Sequence, residues 1–299
     1  MSKNICIYHK NCADGFGSAW VVNQAMQEAG ETCEFIPASY GDETPENVEG
    51  ANIYIVDFSY PRDQLIELAK KAQFVTVIDH HEKAINDIGP DKLAPNMGLL
   101  LDSGYSGVGL TWQFFNGNSV MPALLTFIQD RDLWNFNYDD TPAVLEALFS
   151  YPQDFVIWSE LIAQCDTPAG LEGMRVVGER LLAAKKINQE NHIKNAQRWT
   201  FPVELSEHGD FIDAVEVPVI DCPYIWASDL CHKLGEGEAF AVAYQDGEKG
   251  RKFSLRSSAA GGLNVNEIAQ QFGGGGHKHA AGFFLTYDEC RLFGLEPGL

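Results

Sequence analysis

Asp79, His80 and His81 stand together at the end of an apolar, β-branched run, Phe74-Val75-Thr76-Val77-Ile78. Such a run can be buried between helices, but three adjacent ionisable groups cannot be buried without partners. Two imidazoles and a carboxylate at the exit of a buried strand point to a site at the carboxyl edge of a sheet, where open α/β folds bind ligands. Two other strand-like runs end the same way. Ile5-Cys6-Ile7-Tyr8 leads into His9 and then Asp14, and Ile53-Tyr54-Ile55-Val56 leads into Asp57. One case would be unremarkable, because Asp and His often end strands. Three within the first 81 residues converge on a metal site.

The elements that position these groups read as repeating β-α units. After the Asp14-Gly15 turn, residues 16–28 carry apolar side chains at helical spacing and stop at Gly30; 33–36 and 53–58 read as strands. Pro61 opens a helix through Lys71, as proline prefers the first helical turn. The strand at 74–78 follows, then a strand at 97–101 and a helix at 109–115. Strands alternating with helices predict a parallel sheet covered on both faces. A helix ends in Gln129-Asp130-Arg131-Asp132-Leu133-Trp134, and residues 154–199 are helical in pattern. Past Phe201 short β-rich runs (211–220, 239–244, 252–256) surround polar turns. They precede an amphipathic helix at 264–272 and the run Gly273-Gly274-Gly275-Gly276-His277. The expected organisation is a first domain over 1–185, a helical linker over 186–204 and a smaller α+β domain over 205–299.

Composition narrows the function classes. The 299 residues are 45% hydrophobic and 21% charged, which is ordinary for a globular protein. No apolar run reaches the roughly 18–20 residues that span a bilayer, and no signal-peptide pattern opens the chain, so a cytoplasmic protein is expected. Seven cysteines, odd in number and without a CxxC pair, fit reduced thiols better than a disulfide framework. The net charge of −21 repels a long polyanion except at local basic or metal-filled pockets. It argues against tracking along duplex DNA, but not against a short nucleotide held by metal ions.

Six motifs in order resemble the DHH phosphoesterase superfamily, in the branch whose second domain carries a GGGH motif. They are His9 to Gly15 with Asp14, the strand-end Asp57, Asp79-His80-His81, an Asp after a helix matched to Asp130, Arg256 in Ser254-Leu255-Arg256, and Gly273 to His277 followed by Ala280-Ala281-Gly282-Phe283. The resemblance spans nearly the whole chain. It implies an active-site cleft between the two domains and two divalent ions, usually Mn²⁺, with Mg²⁺ the weaker substitute. By resemblance, His9 serves the first ion, Asp14, His80 and Asp130 serve the second, and Asp57 bridges them. His81 then contacts the substrate phosphate or the leaving group, while Arg256, Gly274, Gly275, Gly276 and His277 bind substrate. Donor chemistry agrees, since carboxylates and imidazoles suit Mn²⁺ or Mg²⁺ better than structural Zn²⁺. One departure stands out: the extra Asp that many family members carry two residues before the Asp-Gly aspartate is Cys12 here, so the first ion loses a ligand, takes one from Asn11 or water, or accepts a softer thiolate.

The leading expectation is a metal-dependent phosphodiesterase acting from an end of short single-stranded oligonucleotides or on nucleotides, like an exonuclease or oligoribonuclease, and not a processive RecJ-like exonuclease on long DNA. Two alternatives are a nucleotide phosphatase or cyclic-dinucleotide phosphodiesterase using the same chemistry, and a catalytically weakened nucleotide-binding regulatory module. The intact His80, His81 and Asp130 favour an enzyme. No membrane partner is expected, and oligomeric state is left open, a homodimer included.

Overall fold

The β-α alternation is realised in a computed structural model of the protein, which describes residues 3–89, 93–205 and 211–295. The chain divides into two units, Met1–Leu182 and Ala183–Leu299. The first contains β1 (Asn4–His9), α1 (Ala13–Glu28), β2 (Cys33–Ala38), β3 (Asn52–Val56), α2 (Arg62–Lys71), β4 (Phe74–Asp79), α3 (Glu82–Ile88) and β5 (Met97–Leu101). Then follow α4 (Gly107–Asn116), α5 (Ala123–Asp132), α6 (Thr141–Leu148) and α7 (Phe155–Cys165), before α8 (Pro168–His192) runs on into the second unit.

The five strands form one parallel sheet in the order β2-β1-β3-β4-β5. Side chains alternate across it because successive strand residues face opposite ways. Ile5, Ile7, Ile53, Ile55, Val75 and Val77 pack with Leu65 and Leu68 of α2, while Cys6, Val56 and Ile78 pack with Ala19, Val22 and Met26 of α1. Both faces are thus buried, and each fully buried aliphatic chain contributes about 1.5–3 kcal/mol. A chain order of 2-1-3 places the topological switch between β1 and β3, the crevice where doubly wound sheets bind ligands. The ladder is in register there: Tyr8 pairs with Val56 and Val56 with Ile78. His9, Asp57 and Asp79 therefore follow at one level along the carboxyl edge.

The second unit holds β6 (Gln197–Leu205), β7 (Phe211–Asp221), α9 (Tyr224–Leu234), β8 (Ala241–Asp246), β9 (Gly250–Arg256), α10 (Val265–Gln271), β10 (Gly275–His277), β11 (Ala280–Thr286) and α11 (Tyr287–Leu292). Its mixed sheet runs β10-β11-β9-β8-β7-β6, with β7 and β8 parallel and the other pairs antiparallel. Phe201, Phe253, Phe272 and Phe283 centre its core. Residues 186–204, expected as a helical linker, are the end of α8, a 3-10 turn at Ile193–Asn195 and β6. Phe201 is fully buried in this core, so the segment belongs to the second domain.

Candidate metal centre

Three strand exits and two helix termini bring the site together in the first unit. Asp57 ends β3 abruptly because its backbone takes φ +61°, a left-handed conformation costly for a residue with a side chain. The strand expected over 53–58 accordingly stops at Val56. That turn brings the Asp57 carboxylate against two imidazoles. His80 Nε2 lies 3.2 Å from Asp57 Oδ1, and His9 Nδ1 lies 3.6 Å from Asp57 Oδ2. The same His80 nitrogen is 3.4 Å from Asp132 Oδ2 and 3.8 Å from Asp14 Oδ2. Ligand-type atoms fall into three groups, each within 4.8 Å: His9, Cys12 and Asp57; Asp57, His80 and His81; Asp14, His80 and Asp132. Asp57 and His80 each belong to two of them.

His9 Nδ1, Asp57 Oδ1 and His80 Nε2 are buried, yet none makes a well-directed hydrogen bond. Buried polar atoms are nearly always satisfied. Three orphans aimed at one space, with further carboxylates around it, fit a divalent cation. The donor set is mostly hard, with one thiol, and the ion's identity is not fixed by it.

Asp14 is held by backbone. Contrary to the expected turn at Asp14-Gly15, α1 already begins at Ala13, so Asp14 lies in its first turn. Its Oδ2 accepts from Gly107 N at 2.6 Å and its Oδ1 from Val108 N at 2.9 Å. A carboxylate at the amino end of α4 satisfies orphan N–H groups and meets the positive end of the helix dipole. Gly107 is what permits this approach. A Cβ there would lie 2.5 Å from Asp57 Cβ and 2.8 Å from Asp14 Oδ2. The helix expected from 109 starts two residues earlier for the same reason, with Ser106 capping Gly109 N.

The expected ligand Asp130 is not in the cluster. Its carboxylate is buried and committed elsewhere, accepting from Asn137 N at 2.8 Å, Tyr138 N at 3.4 Å and Thr141 Oγ1 at 2.5 Å. It organises the turn between α5 and α6. Asp132, one half-turn further on, faces His80 instead, with a side chain 26% exposed. The Asp130-Arg131-Asp132 spacing offers two carboxylates, and the hydrogen bonds from Asn137 and Thr141 commit the first of them to the turn.

His81 is oriented by Asp79. The buried Asp79 Oδ1 accepts from the backbone N–H of His80 and His81 and lies 2.7 Å from His81 Nδ1. A carboxylate partner at Nδ1 fixes the imidazole ring and directs Nε2 outward. Burial works against a charged His81, but the Asp79 hydrogen bond and charge outweigh it and raise its pKa. Burial pushes the Asp14 carboxyl well up, and the Asp57 and Asp132 charges add to it against the Val108 N–H. Asp132 is raised by burial and by Asp57. Burial opposes ionisation of Asp57 too, yet its contacts with His80 and His9 hold it well below the usual carboxylate range. The Cys12 thiol is pushed far up by burial and the Asp57 and Asp14 charges, so it stays protonated unless a cation draws it.

In the second unit, Arg256 ends β9 and donates to Leu255 O and, at 3.3 Å, to Ser228 Oγ. It lines a cavity of about 200 Å³ together with Gly275, Tyr224 and Lys252. Residues Gly275 to His277 form the short edge strand β10. At Gly274 a Cβ would meet Gly282 O at 2.2 Å, so the chain's close pairing there demands glycine. His277 pairs with Ala280, which pairs with Arg256, so the histidine and the arginine share one cross-strand row. His277 itself is exposed.

A model of the DHH family N-terminal domain matches residues 4–131, and one of the DHHA1 domain matches residues 225–292. The chain is 26% identical to the uncharacterized protein R106 of Acanthamoeba polyphaga mimivirus, over 98% of this chain and 72% of that protein. Among solved structures, it resembles PggH from Vibrio cholerae, described as a pGpG-specific phosphodiesterase. The TM-score is 0.51 at 13% identity, covering 97% of this chain and 96% of that one. RecJ of Thermus thermophilus, solved with Mn²⁺, gives a TM-score of 0.55 at 17% identity; 98% of this chain covers 51% of it, so the chain spans about half of RecJ's length. At such identities these structures speak for the fold. With two family models matched in order and a histidine-carboxylate cluster at the sheet edge, the chain carries a DHH family N-terminal domain followed by a DHHA1 domain.

Proposed function

We propose that the protein is a divalent-metal-dependent phosphodiesterase acting from an end of short single-stranded oligonucleotides, with Mn²⁺ as the preferred ion and Mg²⁺ weaker. The observation that carries this is the convergence of orphaned His9, Asp57 and His80 atoms with Asp14 and Asp132 at the topological switch. His9 with Cys12 would hold one divalent ion, Asp14, His80 and Asp132 would hold another, and Asp57 would serve both. Two divalent ions, when bound, supply Lewis acidity to a phosphoryl group.

The remaining work falls to the chain. Asp14, anchored on α4, and Asp57, fixed by its left-handed turn, hold the ligand geometry before substrate arrives. His81, hydrogen-bonded to Asp79 through Nδ1 and with its pKa raised by that contact, is placed to present Nε2 to a phosphate or leaving-group oxygen. Arg256 and the backbone around Gly275 are the candidates to hold a second phosphate in the DHHA1 domain, with His277 beside them. In this reading the DHHA1 domain contributes to substrate binding and not to metal binding. Arg256→Ala or His277→Ala should then lower kcat/KM while leaving metal affinity unchanged. Loss of metal from either variant, or unchanged kinetics on every active substrate, would refute this division of labour. The acidic surface favours short substrates over long polyanions.

The deciding experiment is a Mn²⁺-supplemented assay against dinucleotides, longer single strands, cyclic dinucleotides and 3′-phosphorylated mononucleotides. Preference for linear dinucleotides and short single strands supports the proposal. Exclusive turnover of cyclic dinucleotides or mononucleotides would move the assignment to the alternative specificities.

A further inference from the structure

The segment that follows Asp132 contains an arrangement that metal binding does not explain. Trp134 and Phe136 both take left-handed backbone conformations, φ +56° and +48°, which are unfavourable for aromatic residues. The conformation is held from below. Trp134 N donates to Arg131 O, Asn135 N donates to Asp130 O, and the Asp130 carboxylate accepts from Asn137 N and Tyr138 N. A buried carboxylate is thus spent on fixing a loop whose outermost side chain is 70% exposed, that of Trp134. Phe136 meets the indole edge-on, ring centroids 5.0 Å apart, and leaves the indole itself accessible.

Trp134 lines a cavity of about 180 Å³, together with Arg131 and with Cys12, Asp14 and Asp132 of the metal cluster. That is smaller than the roughly 300–1,000 Å³ of a pocket that encloses a whole ligand. It suits one ring of a substrate whose phosphate lies at the metals. Arg131 is fixed with its guanidinium 4.6 Å over the Phe149 ring, a cation at the same cavity.

Building on the proposed phosphodiesterase activity, we propose that Trp134 is a stacking platform for the nucleobase next to the scissile phosphate. It would make the enzyme selective for base-bearing phosphodiesters over phosphate chains or sugar phosphates. An exposed rigid indole loses little conformational entropy on binding, and every base offers a π-face. Stacking is therefore tolerant of base identity, and each base–aromatic contact is worth about 1–3 kcal/mol.

The test uses the full chain with Mn²⁺ and two probes: a 5′-phosphorylated dinucleotide, and the same molecule with an abasic sugar in place of one base, each end in turn. Trp134→Ala should lower the ratio of kcat/KM for the base-bearing over the abasic substrate by about 5- to 150-fold, chiefly through KM, and Trp134→Phe should recover most of it. An unchanged ratio, or an equal loss on both substrates, would overturn the platform. Quenching of indole fluorescence by the same dinucleotides is measured alongside. Should the wild type hydrolyse no phosphodiester, the phosphodiesterase reading falls. The platform then stands if base-bearing dinucleotide quenches the wild type and not Trp134→Phe, and falls if both respond alike.

Discussion

Asp130 and Asp132 sit two positions apart on one helix end and do opposite jobs. Asp130 accepts three hydrogen bonds from the α5–α6 turn, whereas Asp132 faces His80 and repels Asp57. Asp130→Ala should therefore destabilise the protein by about 1–3 kcal/mol, read as a lower Tm, because buried donors lose their acceptor. Asp132→Asn should leave the metal-free protein as stable or more so, while weakening Mn²⁺ binding in a titration. The pH dependence has a definite sign. Asp14 and Asp132 have folded-state pKa values raised above the unfolded carboxylate value. Ionisation then favours the unfolded chain, so metal-free stability falls as pH rises from the ordinary carboxylate range toward the raised values. His81, raised by Asp79, adds stability below its unfolded pKa and loses it as pH climbs past the raised value. Metal-free Tm measured from just above the ordinary carboxylate range, where Asp57 is ionised in the folded and unfolded chain alike, up to neutral pH should fall, and fall less in Asp132→Asn; a rise over that window would contradict the cluster electrostatics. Cys12, whose thiol borders His9 and Asp57, was foreseen from its sequence position as a weak point of the first ion. Cys12→Asp should lower the Mn²⁺ concentration needed for activity, and a lower Tm with unchanged metal dependence would show that the thiol only packs.

Strands and helices differ in how openly the sequence declared them. Apolar runs ending in His9, Asp57 and Asp79 were readable because both sheet faces are buried, so the first ionisable residue marks the edge. The role of α4 was not readable. Nothing local announces that Gly107, 93 residues from Asp14, offers its N–H to that carboxylate, since the pairing exists only once β5 and β1 share a sheet. Around β10 the demand is local: across the β10–β11 hairpin a Cβ at Gly276 would meet Ala280 O at 2.4 Å and one at Gly274 would meet Gly282 O at 2.2 Å, so the pairing needs glycine at those two positions. The α4 contact is testable. Gly107→Ala places a methyl against Asp57, and a displaced ligand support of this kind costs about 10–100-fold in metal affinity or activity. Full Mn²⁺ affinity in Gly107→Ala would show that α4 does not set the ligand geometry.

At the scale of the whole chain, 42 acidic against 21 basic residues set what the protein can approach. Proteins that neutralise many phosphates lose about 10³–10⁵ in affinity between 50 and 200 mM salt. Here kcat/KM on a long single strand should change by less than about tenfold across that range, because general repulsion offsets the few site contacts. A steep fall with salt would reveal a basic track that the sequence does not contain. Two-domain organisation was visible from the change in pattern past Phe201; the first domain's expected end at 185 lies close to the division at 182 and 183, whereas the second domain starts well before the expected 205. The helical periodicity of α8 runs through the division at 182 and 183, and β6 follows a 3-10 turn without a Gly- or Pro-rich break. Among the described residues no helix is long and apolar enough to cross a membrane. What unites the scales is the carboxylate shared by two ligand groups. The most direct measurement is Mn²⁺ stoichiometry by calorimetric titration of the wild type and Asp57→Ala, with dinucleotide hydrolysis and circular dichroism on the same samples. Two ions per chain in the wild type are expected, with loss of both binding and turnover in a still-folded Asp57→Ala. A folded Asp57→Ala protein that keeps its manganese and its activity would contradict the shared-carboxylate metal centre.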